Sequence, residues 1–166
     1  MDTYLAIASK RDTRGYSDAS VGGEVRRRIL DAGRLAGSSR NTQRRLFVIP
    51  SPDEQRRLAE TVYAAANVRA AAFVVAIVGE ASGFDVGRCA ENMMLAAWND
   101  GVASCPNGVR DAAAAAEICG GEVKTILSFG YPARPRDPRR RSAEEWSARA
   151  NRRPLDELVD ERDSPK

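Results

Sequence analysis

The chain has no histidine, and that single absence removes Ser-His-Asp and Cys-His nucleophilic machinery together with every histidine-ligated metal site. Its three cysteines, Cys89, Cys105 and Cys119, are odd in number and form no C-x-x-C pair, so neither a disulfide framework nor a zinc site is indicated. Free thiols suit a reducing compartment. No G-x-G-x-x-G follows an apolar run and no G-x-x-x-x-G-K-[ST] occurs, which leaves dinucleotide-Rossmann and P-loop readings without their phosphate cradles. Neither a signal-peptide hydrophobic region nor a run of membrane-spanning length is present, and a cytoplasmic protein with no membrane partner is expected. What remains for chemistry is carboxylates, arginines, or a cofactor that brings its own reactivity.

The 166 residues fit one domain, residues 1–166, burying about 70% of the surface its unfolded chain would expose. The net charge of +3 is too mild to argue for nucleic acid. Its distribution is uneven, because eight arginines between Arg134 and Arg153 face only Asp137, Glu144 and Glu145. A stacking platform for nucleic acid is missing there, since the nearby aromatics are Tyr131 and Trp146 alone.

Phe84 to Trp98 organises the chain. Val86, Ala90, Met93 and Ala97 recur at helical spacing, while Met93 to Trp98 is apolar all the way round. Such a helix belongs in the middle of a domain or across a subunit interface. It leaves through Gly101 into Ser104-Cys105-Pro106-Asn107-Gly108, which reads as a turn-rich segment. Earlier, Asp2 to Lys10 predicts a first helix, and Val25 to Ala36 a second that stops at Gly37. Ser51-Pro52-Asp53-Glu54 reads as a capped helix start. Val109 to Ile118 predicts a further helix, broken by Gly120-Gly121. Leu46 to Ile49, Ala71 to Val78 and Val123 to Phe129 read as strands, the last two buried on both faces. Helices alternating with three strands predict a small mixed sheet covered by helices. The basic stretch after Ala133 is too polar to pack a core, and its last apolar residues, Leu155, Leu158 and Val159, suit a neighbouring subunit.

Several polar patches are separated along the chain. Lys10, Arg11 and Arg14 form a basic turn, Ser38 to Gln43 a polar loop, and Arg152 and Arg153 a second cationic pair whose guanidinium forks match phosphate oxygens. Their order is informative. The basic turn, Ala-Gly-Ser-Ser-x-Asn-x-Gln, Phe-Asp-x-Gly-x-x-x-Glu-Asn-Met-x-Leu-Ala-Ala, Cys-Pro-Asn-Gly, Gly-Tyr-Pro and Arg-Arg-Pro-Leu-Asp-Glu-Leu-Val run from Tyr4 to Val159 in the sequence of the nitroreductase family of FMN-dependent oxidoreductases, which the chain resembles.

The resemblance implies an α+β fold, a three-layer α/β/α sandwich that forms a homodimer. FMN would lie at the subunit interface, the long helix at the dimer centre, and the domain-exchanged arm from residue 134 to 166 around the partner. Carried over by position, Lys10, Arg11 and Arg14 match residues that hold the FMN phosphate and ribityl chain. Ser38, Ser39 and Asn41 match a loop reaching the flavin from the other subunit. Pro106, Asn107 and Gly108 match the segment against the isoalloxazine ring, and Arg152 and Arg153 match C-terminal phosphate cations. The implied activity is ping-pong transfer of hydride from NADH or NADPH through flavin to a nitroaromatic, quinone or similar small-molecule acceptor, with no catalytic side chain and no metal. Asp12 stands where many members carry serine. It is expected to pair with a neighbouring arginine, and the alternative is the Arg-Asp-x-Arg of the flavin-destructase branch, which uses that aspartate. A non-catalytic flavin-binding protein is the other alternative. Arg44-Arg45 replaces the usual Pro-Trp, and the excursion that often lids the pocket is cut to a few residues near Ser82-Gly83. Cys105 is expected to be inert.

Overall fold

The computed structural model describes residues 1–161; residues 162–166, the end of the basic arm, lie outside the described residues. In chain order the helices are α1 (Thr3–Ser9), α2 (Gly23–Arg34), α3 (Pro52–Ala59), α4 (Ala65–Arg69), α5 (Gly83–Asn99), α6 (Ala112–Cys119) and α7 (Ala143–Ala148). The strands are β1 (Leu46–Val48), β2 (Phe73–Val78), β3 (Ala103–Asn107) and β4 (Val123–Gly130).

The sheet runs β1-β2-β4-β3 and every neighbouring pair is antiparallel. It is therefore not the mixed sheet expected from alternating helices and strands, because β3 enters as a fourth strand against β4, and no two neighbours run in the same direction. Side chains alternate between its faces. Phe73, Val75 and Ile77 join one apolar cluster with Ile29 of α2 and Met93 of α5. Val74, Ala76 and Val78 join the other, with Leu58 of α3 and Ala115 of α6. Helices on both faces of one sheet form the three-layer α/β/α arrangement, and β2 is buried at every position.

The long helix packs on α2 where Gly33 meets Met93. A Cβ on Gly33 would collide with the Met93 side chain, so glycine lets the thioether lie on the α2 backbone. The turn into β3 is made at Gly101, whose φ of 75° a side chain rarely tolerates. Gly37 has another role than the expected helix stop. Helix α2 ends at Arg34 with Leu35 as a right-handed cap, and Gly37 instead leaves room for the Arg88 guanidinium, 2.8 Å from where its Cβ would stand.

The segment Ser104 to Asn107, expected as a turn, is strand. Pro106 sits on the edge strand with its ring exposed, where a missing N–H costs the ladder nothing. The capping box at Ser51 forms as expected, with Ser51 accepting from Glu54 N and Glu54 accepting from the cap N–H. Part of the arm folds back on its own chain. Helix α7 lies against α1, with Arg11 Nη2 donating to Trp146 O at 3.2 Å and the Trp146 ring under Arg141, 4.9 Å from its centroid. Beyond it, Leu155 and Leu158 are exposed. No helix among the described residues is long and apolar enough to cross a membrane.

Candidate functional site

Helix α1 stops at Lys10, and the chain turns through Arg11-Asp12-Thr13-Arg14. Thr13 N donates to Ser104 O at 3.0 Å, which fastens the basic turn to β3. Lys10, Arg11 and Arg152, from opposite ends of the chain, converge on one cleft of about 420 Å³ with Tyr4, Asp12 and Glu91. Lys10 Nζ reaches Asp12 Oδ1 at 2.7 Å, so the aspartate pairs with lysine rather than with the expected arginine, lysine being the cation that its short side chain meets on the turn. Arg11 lines the cleft while three of its hydrogen bonds go to main-chain oxygens, those of Ala8, Lys10 and Trp146. Its guanidinium thus closes the end of α1 and docks α7. Arg14 opens onto a second cleft that shares Asp12 with the first.

The polar loop is built under strain. Arg40, Asn41 and Gln43 have φ values of 51°, 54° and 50°, a left-handed region that side chains other than glycine enter at a cost. Ser38 Oγ accepts from Gln43 N at 3.0 Å, and buried Asp85 accepts from Ser39 N at 3.4 Å. Behind it, Arg45 folds under the end of α2 and donates to Ala36 O and Arg34 O, filling the place of the expected Pro-Trp packing. Ser39 lines a cleft with Asp85, and that cleft is separate from the one at Lys10. Arg153 is also apart, since it pairs with Glu157 at 3.1 Å.

Within 106–108 the three residues diverge. Pro106 and Gly108 are exposed, and Gly108 O accepts from Tyr63 N at 3.1 Å. Asn107 turns inward, 5% exposed. Its amide donates to Cys105 O, Ile126 O and Ser128 Oγ at 3.0, 3.2 and 3.2 Å, and its carbonyl oxygen accepts from Asn67 at 3.3 Å. Ser128 Oγ in turn meets Tyr16 OH at 2.9 Å. This buried chain, Tyr16–Ser128–Asn107–Asn67, escaped the sequence reading; the hint it offered was Ser128, set between Leu127 and Phe129 in the buried half of β4. Burial, opposed by the bond to Ser128, pushes the Tyr16 phenol up to about 12. Burial likewise raises the Cys105 thiol, Asp12 adds to the rise, and Arg14 opposes it. The thiol stays protonated at neutral pH, consistent with an inert role. Among the described residues no group of three or more Cys, Asp or Glu could hold a metal.

No protein-family model and no curated protein sequence matches the chain. Solved structures do. Nitroreductase A from Vibrio parahaemolyticus superposes with a TM-score of 0.83 at 19% identity, covering 100% of this chain and 78% of its own. A Desulfovibrio desulfuricans protein in complex with FMN gives 0.81 at 24% identity, with 99% of each chain covered. The chain has the nitroreductase fold. The NADPH:FMN oxidoreductase from Vibrio harveyi, complexed with NAD+, shares this fold at a TM-score of 0.81 and 20% identity, covering 99% of this chain and 79% of its own.

Proposed function

We propose that this protein is a homodimeric FMN-dependent oxidoreductase. The observation that carries the proposal is the convergence of Lys10, Arg11 and Arg152 on one cleft in a chain with the nitroreductase fold. The donor set suits a phosphate. Arg152 has no ion-pair partner among the described residues, and the Lys10 ammonium is held at the cleft by Asp12. Lys10 and Arg152 bind the phosphate, and Arg11 fixes the turn that presents them. The backbone of Pro106 to Gly108, whose position is set by the buried amide of Asn107, would border the ring. Ser38, Ser39 and Asn41 come from the partner subunit. Bound there, FMN would supply the two-electron chemistry between NADH or NADPH and a nitroaromatic, quinone or similar acceptor.

In this reading the chain's own residues provide no nucleophile or general base, and their part is to bind and orient the cofactor. The loop between β2 and α5 is confined to residues 79–82, which supports an open pocket. Initial rates test the mechanism. Varying NADPH at several fixed quinone concentrations should give parallel double-reciprocal lines, the ping-pong pattern; intersecting lines would reject it. The destructase reading has less support, since the Asp12 carboxylate is engaged by Lys10. Asp12→Ser should therefore retain NAD(P)H oxidation.

A further inference from the structure

The loop over residues 38–43 holds Arg40, Asn41 and Gln43 at positive φ, and backbone of that cost persists only where its surroundings impose it. Its internal bonds are local: Asn41 N donates to Ser38 O, Thr42 N to Ser39 O and Gln43 N to Ser38 Oγ. Among the described residues, one hydrogen bond ties the loop to an element beyond α2 and β1. It runs from Ser39 N to Asp85 Oδ2 at 3.4 Å. Asp85 is 6% exposed and has no ion-pair partner among the described residues, so its charge needs compensation from nearby dipoles. It stands in the first turn of α5, below the Ser82 cap, where unpaired N–H groups carry partial positive charge. Ser39 opens the 3-10 turn Ser39–Asn41. One buried carboxylate therefore joins the starts of two helical turns.

The loop's outward side chains are uncommitted. Ser39 and Asn41 are exposed, and neither the Ser39 hydroxyl nor the Asn41 side-chain amide has a hydrogen-bond partner among the described residues. Resting on the flavin reading above, we propose that Asp85 is a positioning residue acting across the dimer: by holding the Ser38–Asn41 loop of its own chain, it sets the flavin affinity of the partner's site. The Asp85 cleft and the Lys10 cleft share no residue, in keeping with a loop that completes the site of a second copy. Without the carboxylate the loop relaxes toward right-handed backbone, and ordering it again on the flavin costs binding energy.

Flavin fluorescence titration of the full-length dimer tests this. Asp85→Ala should weaken FMN binding about tenfold or more, the effect of one hydrogen bond to a charged group. Asp85→Asn keeps an oxygen for Ser39 N and should bind close to wild-type strength. Mixed dimers of one Asp85→Ala chain and one Arg152→Ala chain, isolated through two affinity tags, separate action across the interface from action within a chain. One flavin per mixed dimer should bind with wild-type affinity, because both defects then fall on the same site. Two weakened sites overturn the proposal. So do wild-type affinity in Asp85→Ala, an Asp85→Asn protein as weak as Asp85→Ala, and a wild-type protein that binds FMN as a monomer. If Asp85→Ala does not fold, Ser39→Pro removes the donor instead, at a first-turn position that suits proline. It should bind FMN more weakly than Ser39→Ala, which keeps the N–H, and equal affinities overturn the proposal. Failure of the wild-type protein to take up FMN overturns the flavin reading, and this one with it.

Discussion

Lys10 and Arg152 are separated by nearly the whole chain and meet at one cleft, so their removal is the sharpest test of individual side chains. Lys10→Ala and Arg152→Ala should each weaken FMN binding by about 1.5–3 kcal/mol, the worth of a hydrogen bond to a charged group, as read by flavin fluorescence titration. Arg153→Ala should change it little, because that guanidinium is paired with Glu157. A second prediction concerns Tyr16. Its folded pKa of about 12 lies above the ordinary value of 10, so its contribution is complete below pH 10 and is lost as pH rises toward 12. Across that window wild type should lose about 2–3 kcal/mol relative to Tyr16→Phe in urea unfolding. Parallel curves for the two proteins would contradict the burial of the phenol. Lys10, Arg11 and Arg152 could be singled out as candidates in the sequence by charge type and order, and they line one cleft. Asn107 could not: its neighbours match a flavin-facing segment, yet strand alternation sends its own side chain inward, and alternation cannot be read until the strand is known.

That strand is the element the sequence concealed. Pro106 and the Asn107-Gly108 pair are turn signals taken by themselves, and only the ladder with β4 overrides them. Helices fared better, because apolar spacing survives without knowledge of partners: α5 occupies Gly83–Asn99 around the predicted Phe84 to Trp98. The glycine at position 37 misled for a related reason, since a close-packing glycine and a helix-ending glycine look alike in sequence. Two substitutions test the packing of these elements. Asn107→Ala removes the buried amide that joins β3 to β4 through Cys105 O, Ile126 O and Ser128 Oγ, so it should cost about 1–3 kcal/mol in urea unfolding. Gly33→Val forces α2 away from Met93 and should cost about 1–3 kcal/mol by overpacking. A stable Gly33→Val protein would show that the α2–α5 contact is looser than the geometry requires.

The three-layer arrangement was legible as a whole because β2 is a continuous apolar run and β4 is apolar over most of its second half, a pattern that suits a sheet covered on both faces. The protomer nevertheless leaves apolar residues uncovered. Phe84, Tyr4, Ile7 and Leu155 are more than half exposed, and Phe84 and Ile7 border clefts of the proposed subunit contact. If a second copy covers them and brings Ser38 to Asn41 toward the flavin, Phe84→Asp should shift the protein toward monomer in sedimentation velocity and lower FMN occupancy with it. A monomeric variant that keeps full flavin affinity would separate the site from the dimer. The central claim is that bound flavin carries electrons from a nicotinamide. Its most direct test is the visible spectrum of the FMN-reconstituted protein under anaerobic conditions before and after NADPH. The account predicts a flavin spectrum that bleaches with NADPH and returns on addition of a quinone. A spectrum that stays blank after FMN is added, or a bound flavin that neither NADPH nor NADH bleaches, would contradict it.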